Sequence, residues 1–453
     1  MTVCSCSLAV DRRAGLAALR TADAVNCQPS TSFVNCHLLP PATVIAQRPS
    51  NVSTFVYNSR SPKLSSVARH PYLAIMSDLS SLTDFLQPVD LEQLSIDESF
   101  KNTQIGKIID AYHDTLPELD AADIVLIGCD EERGQNIASI ESGAANAIRK
   151  EFYRLYYWHT DTRLADVGNV KIGASLNDTY AALKTVVGEL ISVGKTVIIL
   201  GGSHDLTLAQ YQTYASHKRI IEVACVDALI DIDIDSINRS DNFLMEMLTG
   251  EPNFIRHYNH IGFQSYYVQP HMLETMDKLR FDCFRLGHVK ENIDEMEPVI
   301  RNAQLFSFDL TAIANAYAPA QAVSPNGFTG EEACTLMRFA GLSPNINTIG
   351  VYGYSPDKDL NHLSAKQISQ MLWYAIDGRN RGKREADLEE KDSFNEFHIA
   401  FAEVETTFLQ SKKTGRWWMR LPDKKYIACS YNDYLLASSN EVPERWLRAQ
   451  ERS

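Results

Sequence analysis

The chain has 453 residues, 45% of them hydrophobic, and a formal net charge of −14. That is enough apolar material for one large α/β domain with appendages or for two domains, while the acidic balance argues against non-specific binding to nucleic acid or anionic membranes. No run approaches the roughly 20 apolar residues of a membrane span, and the nine cysteines include no CxxC pair, which points to reduced thiols in a cytoplasmic protein rather than to disulfides or zinc.

Residues 1–75 differ from the rest. They carry seven Arg or Lys against Asp11 and Asp23, a net +5, so the remaining chain carries −19. The segment is rich in Ser, Pro and Cys and has no helical or strand period. It is expected to be a disordered leader. Its composition suits a transit peptide, but the preferred reading is that Met76 is the true start, because MSDLSSLTDFLQPVDL has the character of an ordinary N-terminus.

Beyond Met76 apolar runs alternate with amphipathic ones. Segment 122–134, ADIVLIGCDEERG, predicts a buried strand ending in Gly and acid, and 142–158 has helical spacing. A short strand or loop follows at 163–170. Segment 176–194 predicts an amphipathic helix with Asn177 or Asp178 as N-cap and Gly194 as its stop. Buried strands are predicted at 195–207, where KTVIILGGSHDLT runs into a Gly-Gly turn, and at 219–228. Further strands are predicted around 257–266, 303–313 and 347–356, then a closing helix over 363–378. This alternation predicts a doubly wound, mostly parallel α/β sheet, with ligands beyond the C-terminal ends of its strands. It makes 76–380 one domain and 381–453 a linker with a small β-containing extension. There, FHIAFAEVETTFLQSKKTGRWWMRLP predicts strand, turn and strand, with Trp417 and Trp418 as packing residues, and EVPERWLRAQ predicts a terminal helical turn.

Three polar clusters each end an apolar strand. They are Ser203, His204 and Asp205; Asp227, Asp231 and Asp233; and Ser307, Asp309 and Thr311. Singly, each is what a turn or helix cap would produce. Together at one sheet rim they gather one imidazole and several carboxylates, a donor set suited to Mn²⁺ or a similar hard divalent ion. Read as extended chain, Asp227, Leu229 and Asp231 share a face. The two glycines of GGSHD lack the pattern of a phosphate-binding loop.

GGSH at 201–204, DALID at 227–231 and SFDLT at 307–311 resemble, in order and separation, the GG-D/S-H, D-A-H-x-D and S-x-D-x-D motifs of the ureohydrolases: arginase, agmatinase and formimidoylglutamase. SGAANAIRKEF resembles that family's early helix, and NGFTGEEACTL its late Gly-Leu-Thr segment. DNFLMEMLTG and HYNHIGFQSY place the formimidoylglutamases nearest. The resemblance covers roughly 120 to 375. It implies an arginase-type three-layer α/β/α fold and a homo-oligomer. It also implies metal-dependent hydrolysis of a C–N bond in a small linear amidine or guanidine.

Two positions depart from the family motifs. Leu229 stands where the family has His, and Thr311 where it has Asp. The resemblance assigns His204, Asp227, Asp231 and Asp309 to one metal, and all four are present. Both departures fall on the other metal, so a single divalent ion, Mn²⁺, is expected, with the second site lost. Asp231 is the expected proton-handling group and Glu332 the expected anchor for the substrate amidinium. The loop after the second motif, DIDSINRSDNFLMEMLTG, holds no His to shuttle protons as arginases do; the next are His257 and His260. Another register would use Asp233 or Asp235 in place of the missing His, although both read more simply as a solvated acidic turn. The alternative to an active formimidoylglutamase-like hydrolase is a catalytically lapsed relative kept for binding or assembly.

Overall fold

The computed structural model describes residues 79–94, 99–137, 143–402 and 404–452. The expected leader and the start at Met76 lie outside these residues.

Eight segments form parallel strands: β1 Ile124–Gly128, β2 Leu164–Val170, β3 Thr196–Leu200, β4 Ile221–Val226, β5 Ile255–Phe263, β6 Asp282–Arg285, β7 Leu305–Asp309 and β8 Thr348–Tyr352. Their order across the sheet is β2-β1-β3-β8-β7-β4-β5-β6, every pair parallel. Two-residue strands at Leu86–Gln87 and Asp110–Ala111 bring the sheet to ten strands at the β2 edge. Both faces are covered, so alternate residues of one strand feed two cores. Ile124, Leu126, Ile198, Leu200, Ala224, Val226, Phe306 and Phe308 enter one core, whereas Val125, Ile127, Val197, Ile199, Val223 and Cys225 enter the other. This two-sided burial is why the strands read as unbroken apolar runs.

The principal helices are α1 Ala144–Phe152, α2 Leu176–Ser192, α3 Leu206–Ser216, α4 Met296–Asn302, α5 Gly330–Leu342 and α6 Leu363–Gly382. The first core packs under α1, α4, α5 and α6, the second under α2 and α3. Ser175, not Asn177 or Asp178, caps α2; Asp178 instead closes a capping box by accepting from Ser175 N. Gly194 then takes φ +80, the left-handed stop read from the sequence. Helix α1 ends at Phe152, short of the expected 158, and α6 runs on to Gly382. None of the helices among the described residues is long and apolar enough to cross a membrane.

The register sets the rim. Leu200, Val351, Phe308 and Val226 lie in one row across β3, β8, β7 and β4. One step beyond that row are Gly201, Tyr352, Asp309 and Asp227, so the polar ends of four adjacent strands emerge side by side.

The C-terminal segment forms a separate antiparallel sheet of β9 Phe394–Phe401, β10 Val404–Ser411, β11 Trp417–Arg420 and β12 Tyr426–Cys429, followed by α7 Tyr431–Ser438 and α8 Glu444–Glu451. Phe401, Phe408, Trp417, Met419 and Trp446 form its own core. The module is clamped to the large sheet by buried arginines. Arg301 of α4 donates to the Trp417 carbonyl at 2.9 Å and lies 4.6 Å from the Trp418 ring. Arg416 donates to the Leu342 carbonyl at 3.1 Å. The tryptophan pair therefore packs, as expected.

Candidate metal centre

After β3 the chain turns on Gly201 and Gly202, at φ +88 and +78. A Cβ on Gly202 would meet Leu206 at 2.3 Å and the Cys129 carbonyl at 2.6 Å, so only glycine fits. The turn delivers His204, 4% exposed, to the rim just ahead of α3. Asp309 is the last residue of β7, and Asp227 follows β4 directly. From Asp227 the chain is not extended, contrary to the alternating reading. Leu229 N donates to Asp227 Oδ1 at 3.1 Å, which closes a tight turn. Asp231 is brought back to the cluster by that turn and held where its carbonyl accepts from Leu244 N at 3.1 Å.

His204 Nδ1 lies 2.8 Å from Asp231 Oδ2, 3.2 Å from Asp227 Oδ2 and 3.8 Å from Asp309 Oδ2. Donors around an octahedral ion with bonds of about 2.1 Å are about 3 Å apart, so these separations suit one small divalent ion. Donor atoms of His204, Asp227 and Asp231 all lie within 4.8 Å of one another, a set that does not include Asp309. On its other side His204 Nε2 meets Ser307 Oγ at 3.1 Å, and Ser307 Oγ meets Thr207 Oγ1 at 2.7 Å, which fixes the ring with Nδ1 toward the carboxylates.

Burial alone would make each of these groups neutral. It raises Asp231 well above the usual carboxylate range, with Asp227 adding to the effect. Burial likewise brings Asp309 to about 6. Asp227 moves the other way, because the hydrogen bond and charge of His204 outweigh its burial. Burial opposes a charge on His204, yet Asp309 and its other acidic neighbours lift it well above its ordinary value. Such a cluster calls for a cation or shared protons at its centre.

The outward oxygens are already occupied by protein donors. Thr311 Oγ1 donates to Asp227 Oδ1 at 2.6 Å, the same oxygen that accepts from Leu229 N at 3.1 Å. Thr311 N donates to Asp309 Oδ1 at 2.8 Å. Leu229 and Thr311 both line a cavity of about 300 Å³ above the cluster, together with Glu132, Asp241 and Lys358. A larger cleft of about 830 Å³ opens at the opposite ends of β4, β5 and β6. Its arginines, such as Arg445 with Glu295 and Arg452 with Asp282, are paired with acids of the same cleft, and it gathers no comparable donor set.

Other expected residues lie elsewhere. Glu332 does not line the cavity. It closes the capping box of α5 by accepting from Thr329 N and pairs with Lys290, and these donors hold its carboxyl below the ordinary range against the effect of burial. The Glu332 carboxyl is thus engaged by Thr329 and Lys290 in this structure rather than placed in the cavity lining, where an amidinium anchor is expected. Asp233 and Asp235 form a local turn, with Asp235 N donating to Asp233 Oδ1 at 3.1 Å, and neither lines the cavity. His257 is turned away to Asp282, 2.9 Å distant. His260, which burial lowers to about 4, is neutral and donates from Nε2 to the Asp227 carbonyl at 3.2 Å. Sequence reasoning missed Glu132, Asp241, Lys358 and Gly353. Glu132, in the acidic end of CDEERG, and Gly353, just past Tyr352, each fall toward the end of a segment predicted as a strand; Asp241 and Lys358 do not.

The family model for the Arginase family matches residues 122–377. A formimidoylglutamase of Hahella chejuensis is 26% identical over 228 residues, covering 45% of this chain and 68% of that protein. Among solved structures, formimidoylglutamase from Bacillus subtilis superposes with a TM-score of 0.56 at 18% identity, over 67% of this chain and 99% of the other. Trypanosoma cruzi formiminoglutamase with Mn²⁺ gives 0.55 at 18% identity, over 61% and 98%. At that identity the two structures speak for the fold. The family match stops at residue 377, so the C-terminal sheet lies beyond it.

Proposed function

The chain belongs to the Arginase family, and from that premise we propose that it is a formimidoylglutamase-like hydrolase of a C–N bond in linear amidines or guanidines, dependent on one divalent metal ion, Mn²⁺. His204, Asp227, Asp231 and Asp309 would hold the ion. Bound there, it would acidify a water and offset the three carboxylates. The observation that carries the single-ion reading is that Asp227 Oδ1 accepts from both Thr311 and Leu229, while Asp309 Oδ1 accepts from Thr311 N. Those oxygens would otherwise face a second ion, and Leu229 offers that ion no lone pair.

Asp231 is the group we assign to proton transfer. Burial and Asp227 raise its affinity for a proton, and it touches His204 Nδ1 at 2.8 Å. A carboxylate beside the water that the ion would acidify is placed to take up its proton. The first core, packed beneath the rim, keeps bulk water from approaching these side chains from below.

The same contacts favour a second reading, in which the fold survives for binding or assembly as a homo-oligomer while hydrolysis has lapsed. One experiment separates the two. Elemental analysis of the purified protein is combined with assays of the cleavage products: formamide from formimidoylglutamate, urea and the amine from agmatine, arginine and 4-guanidinobutyrate, and urea and ammonia from guanidine. About one manganese per chain with turnover of an amidine or guanidine supports the hydrolase. Two ions per chain overturn the single-ion reading, and bound metal without turnover favours the lapsed enzyme.

A further inference from the structure

The cavity above the cluster is acidic, and exposed apolar side chains neighbour its lining residues Asn238 and Val323. Among the described residues lining it are the carboxylates of Glu132, Asp227, Asp231, Asp241 and Asp309, against Lys358 as the one Lys or Arg. A single dication leaves that lining net negative. In water-poor surroundings a like charge entering such a cavity is repelled strongly.

The mouth is built on both sides. On one side, Asp241 accepts from Ser236 Oγ at 2.7 Å and Asn238 Nδ2 at 3.1 Å, and its carbonyl accepts from Asp233 N at 2.9 Å. The loop so fastened holds Ile234 and Ile237 out, 72% and 85% exposed, beside the cavity residues Asn238 and Asp241. On the other side, Tyr267 Oη donates to the carbonyl of Val323, itself a lining residue, at 2.9 Å. The rings of Tyr266 and Tyr267 meet edge to face at 4.8 Å, and Tyr266 Oη is anchored on Gln264. Large apolar side chains held outward by ordered loops around a cavity mark a binding surface.

We propose that the site takes amidines or guanidines whose far end is an uncharged alkyl or aryl group, and that it rejects tails bearing carboxylates. This rests on the reading of the chain as a hydrolase of amidines or guanidines, and it places formimidoylglutamate, with its two carboxylates, outside the preferred substrates. The reacting cation would sit among the cavity acids, while the tail crosses the rim of Ile234, Ile237, Tyr266 and Val323. Selectivity arises because, among the described residues, a tail carboxylate meets acids without a facing Arg, whereas an alkyl tail covers apolar surface.

The test uses a matched pair, butylguanidine and 4-guanidinobutyrate, which share the guanidinium and chain length and differ by one carboxylate. Binding to the manganese-loaded protein is measured by calorimetry, and turnover by urea and amine release. Butylguanidine should bind at least about tenfold more tightly, equivalent to about 1.4 kcal/mol. In Val323→Arg the preference should shrink or invert, and in Tyr266→Ser the affinity for butylguanidine should fall severalfold with 4-guanidinobutyrate unchanged. Equal or tighter binding of 4-guanidinobutyrate, or of formimidoylglutamate, overturns the tail assignment and leaves the hydrolase reading intact. Preferential binding of butylguanidine without hydrolysis of either compound supports the tail assignment and counts against the hydrolase. Binding of neither overturns the tail assignment.

Discussion

Leu229→His combined with Thr311→Asp would restore a nitrogen and a carboxylate to the side of the cluster now closed by protein donors. Thr311 Oγ1 is 2.6 Å from Asp227 Oδ1, so an aspartate there places two carboxylates about 4 Å apart. At an effective dielectric near 20 that repulsion is about 4 kcal/mol. The metal-free double variant should therefore melt on the order of 5–10 °C below the wild type, less whatever proton uptake relieves. Manganese should remove the deficit, because a second ion would then have a carboxylate, an imidazole and two bridging aspartates. Elemental analysis after dialysis should give close to two ions per chain where the wild type holds one. The single variant Leu229→His adds a donor without charge, so it should melt near the wild type and gain metal only partly. If manganese content and the metal-induced rise in Tm in the double variant equal those of the wild type, the assignment of Leu229 and Thr311 to a second site is wrong.

Three further outcomes are expected. Gly353 has φ +78, and a Cβ on it would lie 2.6 Å from Asp309 Oδ2. Gly353→Ala should accordingly cost about 1–2 kcal/mol in backbone strain and weaken manganese binding roughly 10- to 100-fold by calorimetry, with an unchanged affinity counting against Asp309 as a ligand. Arg301→Ala strips the Trp417 carbonyl and Glu297 of their donor, a loss of about 3 kcal/mol in urea unfolding, and should expose the segment after Gly382 to proteases first. Asp282 is buried, but His257, Arg448 and Arg452 outweigh that burial and hold its carboxyl at about 2. Its contribution, on the order of 1–2 kcal/mol, is complete above pH 4, where the unfolded carboxylate is ionised, and is lost as pH falls toward 2; in Asp282→Asn the acid limb of the Tm profile should be flatter over that window.

The rim strands were legible because burial on two faces demands continuous apolar runs, and such runs stand out in the sequence at 124–128, 196–200, 221–226 and 305–309. Asp227 and Asp309 were legible because they close two of those runs, whereas His204 and Asp231, which lie beyond their strands, were picked out by the resemblance to the ureohydrolase motifs. Strand β6 was not, since DCFR is short, polar at both ends and half-buried at the sheet edge. Helices Phe243–Thr249 and Pro270–Lys278 were passed over because short helices present little periodicity. The first hairpin of the C-terminal sheet was read as one strand. Its reversal falls at Ala402, with φ +45, in a segment without Gly, Pro or Asn to announce it. Glu332 illustrates a different limit. The spacing Thr-x-x-Glu fits a capping box as well as a substrate anchor, and only the position of Lys290, 42 residues away in the chain, separates the two. The cavity walls at Asp241 and Lys358 come from loops whose placement no local pattern encodes.

The Thr311 hydroxyl occupies its place on Asp227 by being part of the chain. A donor tethered to the chain is present at the same effective concentration in every folded molecule, so this contact on Asp227 is indifferent to how much manganese the surroundings hold. Saturation with metal should thus follow a simple hyperbola, with no second phase at high concentration, and the protein would tolerate scarcity that empties the weaker berth of a paired centre.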